Sequence, residues 1–291
     1  MSVSVISVTT SLPAREPNRV LQKFLRNKSA VVGAVLVITF ALLALLAPWI
    51  SPFDPNKADF MAVRKAPSAL HWLGTDELGR DILSRLFWGA RTSLMAGCVS
   101  VIIAIVIGVP LGLIAGFWQG WLDNIISRVV EALLSCPFLV LAIALGAFLG
   151  PSLGNAMIAI GLSAMPIFAR LTRAQVMSIR NEEYIEGARA IGLPDRWILW
   201  RYVLPNVLSP ILVQATLAIA SAIITEASLS FLGLGQQPPD ASWGAMLNTA
   251  RSFLEQSPWM SIFPGLALFL TVQGFNLLGD GLRDALDPRA E

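Results

Sequence analysis

Residues 181–206 read NEEYIEGARAIGLPDRWILWRYVLPN, a polar, helix-forming island set between hydrophobic stretches that look membrane-embedded. A charged segment returning to water at that point needs an aqueous partner. The chain on either side sets the context: hydrophobic residues make up 55% of 291 positions and charged residues 14%, with a mean hydropathy of +0.66. Those values exceed what a soluble domain carries and indicate an integral membrane protein. A hydrocarbon core about 30 Å thick takes roughly 20 apolar residues of helix. Six stretches qualify: 30–50, 92–117, 125–149, 155–178, 207–232 and 260–278. Pro110, Pro137, Pro166 and Pro264 fall inside them. The expected fold is all-α, a polytopic membrane protein of six transmembrane helices.

Charge distribution orients the spans, because loops rich in Lys and Arg stay cytoplasmic. Arg15, Arg19, Lys23, Arg26 and Lys28 precede the first span, and Arg170, Arg173, Arg180, Arg189, Arg196 and Arg201 surround the island. Both regions, and with six spans the C-terminal tail, are therefore expected in the cytoplasm. The expected organisation is a cytoplasmic segment 1–29, a first span with an outer loop over 30–91, a five-helix core over 92–280 containing the island, and a tail over 281–291. The outer loop carries basic residues too, offset by Asp54, Asp59, Asp76, Glu77 and Asp81. No cleaved signal peptide is indicated at the start of the chain. Cys98 and Cys136 lie inside spans with no His, Cys or carboxylate cluster beside them, which suits small packing residues rather than a metal or disulfide framework.

Within the island, Asn181 is a candidate cap for a helix whose Glu182, Glu183 and Glu186 favour the positive end of its dipole. Tyr184, Ala188 and Ile191 recur at helical spacing. Gly192 before Leu193 and Pro194 ends that helix, and Asp195 offers a cap for a second one closing near Leu204 and Pro205. Gly187, Ala188 and Ala190 are small enough to let another protein approach. The competing reading is an amphipathic helix on the membrane surface, given Trp197, Ile198, Trp200 and Tyr202.

The run EGARAIGLPDRWILWRYVLP resembles the EAA loop of bacterial ABC importer permeases. Glu186, Ala188, Gly192, Leu204 and Pro205 match by spacing, while Gly187 replaces an alanine and Tyr202 stands where isoleucine is usual. Three further segments, LGTDELGRDILSRLFWGARTSL at 73–94, LSFLGLGQQPPDASWGAML at 229–247 and FNLLGDGLRDALDP at 275–288, are similar to the C-type subunit of dipeptide and oligopeptide permeases. The resemblance implies a type I importer permease fold in the bacterial inner membrane. It also implies a homologous B-type permease as heterodimer partner, one or two ATPase subunits and an extracytoplasmic solute-binding protein. The island would then be the coupling element, with Tyr184, Glu186, Gly187, Ala188, Gly192, Leu204 and Pro205 at the ATPase contact.

No glycine-rich loop ending in Lys and Ser or Thr occurs, so ATP and Mg²⁺ are expected in partner subunits and no cofactor in this chain. No catalytic residue and no nucleic-acid partner is expected. An intramembrane enzyme would need a catalytic constellation in the spans, whereas the single histidine, His71, lies outside them beside Trp72. A secondary transporter would show paired ionisable groups near the midplane, and few are present. Polar residues in or near spans are costly in lipid and are candidates for a pathway or for bridging helices: Glu131, Asn155, Gln214, Glu226, Gln273 and Asn276. Glu131 follows Arg128 by three residues, so local pairing is the plainer reading. In the outer loops, Asp76, Arg80, Asp81 and Arg85 are candidates for ion pairs at helical spacing. Asp76, Arg80, Asp81 and Trp243 are also candidates for a binding-protein contact. Peptide is the default solute, with nickel, glutathione and oligosaccharide as alternatives.

Overall fold

The computed structural model describes residues 17–286. Expectations placed on 1–16, including Arg15, and on the tail past 286 lie outside the described residues. Eleven α-helices form among the described residues: α1 (Pro17–Arg26), α2 (Lys28–Ile50), α3 (Ile82–Trp118), α4 (Gly120–Leu134), α5 (Phe138–Leu149), α6 (Leu153–Ile179), α7 (Glu183–Ala190), α8 (Asp195–Ile198), α9 (Leu204–Phe231), α10 (Trp243–Ala250) and α11 (Trp259–Leu286). Three of the long helices, α2, α3 and α6, begin at side-chain caps. Asn27 accepts from the N–H of Ala30, Asp81 from Ser84 and Ser152 from Asn155, satisfying donors that a first turn leaves free.

Five stretches are long and apolar enough to cross a membrane: α2, α3, α6, the continuous Asp195–Phe231 stretch, and α11. The sixth is α4 with α5, bent by 92° at the break between them. The third span, expected over 125–149, is therefore broken, and the break falls at Pro137, which caps α5 in extended conformation. Pro110, Pro166 and Pro264 sit inside unbroken helices, as neighbouring elements allow in membrane bundles. The second span also starts ten residues earlier than hydropathy suggests, at Ile82 rather than Thr92. Its charged first turns are held by intrachain partners described below.

Helix α3 packs most extensively on α6. Gly108, Gly112 and Gly116 recur at four-residue spacing along the contact, and a Cβ at these positions would lie 2.6 Å from the Met165 carbonyl, 2.4 Å from that of Ala169 and 2.9 Å from that of Arg173. Glycine thus brings the two backbones together, which is how membrane helices associate where lipid is as apolar as the side chains. Helix α2 lies on α11 through the same device, with Gly33 against Leu278 and Gly281 against Ala30.

These contacts set the relative sides of the bundle. Asn27 at the start of α2 donates to Asp284 near the end of α11 at 3.0 Å. The island α7–α8 joins the C-terminal end of α6 to the N-terminal end of α9. Both described chain ends therefore share the island's side. The loops 51–81 and 232–258 cap the opposite side, where Phe53 N–H bonds Ser84 at the start of α3.

Candidate functional site

The island is an amphipathic knob with its apolar side turned inward. Helix α7 ends in a glycine-based cap in which Gly192, at φ +82°, donates to the Arg189 carbonyl at 2.9 Å and Leu193 donates to Ala188 at 3.2 Å. That pair of bonds is the Schellman arrangement, and it needs a residue that tolerates a left-handed backbone. After Pro194 the chain runs as α8, a π-helical turn over Leu199–Val203, and then α9 without a break. The second helix expected to close near Leu204 and Pro205 instead continues into the fifth span. Two capping expectations are also corrected. Glu182 rather than Asn181 occupies the cap of α7, and Asp195 is the first residue inside α8 rather than its cap.

Ile185, Ala188, Ile198, Leu199 and Val203 are buried in one apolar cluster with Leu113 and Phe117 of α3 and Val176 of α6. Tyr184 and Ile191, placed by spacing on a face with Ala188, point outward at 45% and 77% exposure, because the buried stripe runs through Ile185 instead. Ala188 faces the chain's own core and offers no surface to a partner. Glu186, Gly187, Gly192 and Pro205 are exposed and Leu204 is half-buried. Tyr184 accepts weakly from Asn206 at 3.4 Å, and its phenol is pushed up by partial burial and then by Glu182.

Polar ties reinforce the anchor. Arg180 donates to the Phe117 carbonyl at 3.0 Å, occupying an acceptor that the end of α3 leaves free, and the Arg189 guanidinium stands 5.3 Å from the centre of the Phe117 ring. Arg173 on α6 grips Asp123 on α4 with two bonds, 2.5 and 2.8 Å, and Ser127 adds a third at 2.8 Å. This pair was not anticipated, since fifty residues separate its members; an Asp two residues before the span expected over 125–149 was the available signal. Asp123→Ala is expected to cost about 1–2 kcal/mol, because partly exposed Arg173 would recover some hydration, and Asp123→Asn less. Thermal melts of the purified protein in detergent would check the order.

The remaining candidates separate into exposed and internal groups. Glu131 is exposed and pairs with Arg128 at 3.9 Å, the local reading expected of it. Gln273 is exposed, while Gln214, Asn276 and Asn155 are half-buried. Asn155 bonds the Leu149 and Gly150 carbonyls. Glu226, a candidate for the pathway or for bridging helices, is fully buried, accepting from Ser93 of α3 at 3.0 Å and from Ser230 at 2.7 Å. It bridges α3 and α9 within the chain.

Trp243, a candidate for a binding-protein contact, is likewise fully buried, its indole N–H on the Leu86 carbonyl at 3.1 Å and its ring edge-on to Phe40. Asp76, Arg80 and Asp81 are also internal. Arg80 bonds Asp76 at 2.7 Å and Glu77 at 2.6 Å, and Arg85 approaches Asp76 at 3.4 Å. Asp81 caps α3 and meets His71 at 3.0 Å, so the ion pair expected with Arg85 is replaced, and His71 is a buried partner rather than an interfacial residue. The Asp76–Arg80 contact has helical spacing but sits in a loop closed by a bridge between Thr75 and Asp81. Burial and then Asp76 push the Glu77 carboxyl up against the pull of Arg80. This network rigidifies the outer loop and explains how charged residues enter the first turns of α3.

Residues 108–291 match the family of the binding-protein-dependent transport system inner membrane component, and residues 18–67 match the N-terminal transmembrane domain of oligopeptide transport permease C. The chain belongs to this permease family. The permease is 46% identical over 281 residues to the dipeptide transport system permease protein DppC of Alkalihalophilus pseudofirmus, covering 97% of this chain and 91% of that one. It is 46% identical over 291 residues to the glutathione transport system permease protein GsiD of Shigella flexneri, covering 97% and 96%. In fold the permease is similar to a chain of the MetNI methionine ABC transporter in inward-facing conformation, at TM-score 0.58 and 21% identity over 69% of this chain and 96% of that one. The type I importer permease fold expected from the sequence is the fold observed, and the chain is a multi-pass membrane permease subunit of an ABC importer.

Proposed function

We propose that this permease forms half of the translocation pathway of an ATP-driven importer of short peptides, with a homologous B-type permease supplying the other half. ATP and Mg²⁺ act in one or two partner ATPase subunits, and a solute-binding protein delivers the peptide to the side opposite the island. The island's side, with both chain termini, is cytoplasmic. The observation that carries this reading is the island itself, which is anchored by buried Ile185 and Ile198 on α3 and α6 and presents Glu186, Gly187 and Ile191 to solvent. A partner seated there would move α3, α6 and α9 together. The solute class is supported by relatives named for dipeptide and glutathione transport, both peptides.

Affinity purification in gentle detergent from the native gene neighbourhood, followed by mass identification, tests the assembly. A second six-span permease and one or two P-loop ATPases are expected to copurify. A chain that purifies alone and moves solute in ATP-free vesicles would replace the reading with a secondary transporter.

A further inference from the structure

Opposite the island, a cavity of about 790 Å³ opens between the end of α2, the start of α6, the outer third of α3 and the two outer loops. Its lining carries charges of both signs: Arg91 and Trp88 on α3, Asp54 on the first loop and Asp240 on the second. Asn56 ties the two carboxylates into one side of the cavity, its backbone N–H on Asp54 at 2.9 Å and its side-chain amide on Asp240 at 3.0 Å. The preceding arginines on this segment are engaged within the chain, Arg80 with Asp76 and Glu77, and Arg85 with Asp76 and the carbonyls of Pro55 and Pro239. Arg91 is exposed, and among the described residues it forms no ion pair, only a contact with the Trp88 ring at 5.7 Å. The Trp88 indole nitrogen is buried and lacks a hydrogen-bond partner among the described residues, although a buried indole N–H normally finds one.

From this arrangement we infer that the cavity is a receiving site for a zwitterionic solute at the mouth of the pathway. Arg91, beside the Trp88 ring, takes the carboxylate, and Asp54 and Asp240 take the ammonium group. The two carboxylates repel an anion that carries no positive charge, and Arg91 repels a bare cation; a molecule bearing both charges satisfies both sides. The volume falls in the range of small-molecule sites. The inference rests on the peptide reading above and names the residues that would meet a peptide's two ends.

The test is ATP-dependent import of a labelled dipeptide with free termini by the assembled transporter in proteoliposomes supplied with binding protein. Arg91→Gln is expected to lower import about tenfold or more, the loss of one charge-assisted contact, whereas Arg91→Lys keeps a cation and most of the rate. Asp54→Asn with Asp240→Asn is expected to lower import similarly. Docking of peptide-free binding protein, measured on the same proteoliposomes, is expected to be unchanged in all variants. Import by Arg91→Gln at the wild-type rate overturns the site, and so does a loss of docking that matches the loss of import, since Arg91 would then meet the binding protein. If the wild type carries a non-peptide solute and no peptide, the peptide reading falls and the zwitterion site falls with it.

Discussion

Gly112→Leu is expected to prevent the permease from reaching its folded form in the membrane, with a loss of more than about 3 kcal/mol. A Cβ at Gly112 would stand 2.4 Å from the Ala169 carbonyl oxygen, 2.6 Å from the Thr172 Cβ and 3.0 Å from the Arg173 N. Two of these three are backbone atoms of α6, so no rotamer change clears the space. The helices themselves must separate, and Gly108 and Gly116 would lose their contacts too. Even Gly112→Ala is expected to cost about 1–3 kcal/mol. Gly154→Ala is the matched control on α6, because nothing lies within 4 Å of a Cβ there. Thermal unfolding midpoints in detergent, with the yield of monodisperse protein, measure the series. A Gly112→Leu variant that melts with the wild type would mean that α3 and α6 do not approach at this point.

The same contact shows what a linear sequence discloses. Hydropathy located six spans because lipid demands about 20 apolar residues wherever a helix crosses, a local requirement. The four-residue spacing of Gly108, Gly112 and Gly116 was equally visible, but not the partner that they face. Misplaced boundaries share a cause, since hydropathy counts a charge as exposed. Arg85 is buried against Asp76 and two carbonyls, so α3 extends ten residues beyond the apolar run. Pro137 stands at a break in a span while Pro110 sits inside a continuous helix, so proline alone did not locate the break. Glu226 read as a candidate for the pathway or for bridging helices and Trp243 as one for a binding-protein contact, yet each is satisfied by groups over a hundred positions away, Ser93 and the Leu86 carbonyl.

For the island, the sequence disclosed the break and the exposed polar residues but not the buried stripe. Ile185 and Ile198 look unremarkable among neighbours such as Ile191 and Trp197, and only the positions of α3 and α6 decide which of them turn inward. That distinction bears on the mechanism. In the coupling proposed above, an island fastened by Ile185, Ile198 and Arg180 to α3 and α6, and continuous with α9, would transmit a push as a rigid body instead of yielding to it. A ligand or nucleotide can bias such an element only through interaction energies that differ between its positions.

Gly192 is where that rigidity is most exposed to test, and Gly192→Val is expected to reduce ATP-driven import roughly 5- to 30-fold while leaving membrane insertion intact. At φ +82° a β-branched residue is strained by about 1–2 kcal/mol, and that energy corresponds to such a factor in the ratio of capped to uncapped α7. No atom lies within 4 Å of a Cβ at Gly192, so the effect is one of backbone conformation and not of crowding. Import should therefore fall in the order Gly, Asn, Ala, Val, with asparagine ahead because it tolerates the left-handed region. Glu186→Lys separates surface from shape. The side chain is exposed, so the fold should change by about 0.5 kcal/mol or less, yet recovery of the ATPase on the purified permease is expected to drop. Copurification and import are measured on the same membranes. If both variants keep wild-type import with undiminished ATPase recovery, the island does not couple the subunits, and α7 is a structural turn between α6 and α9.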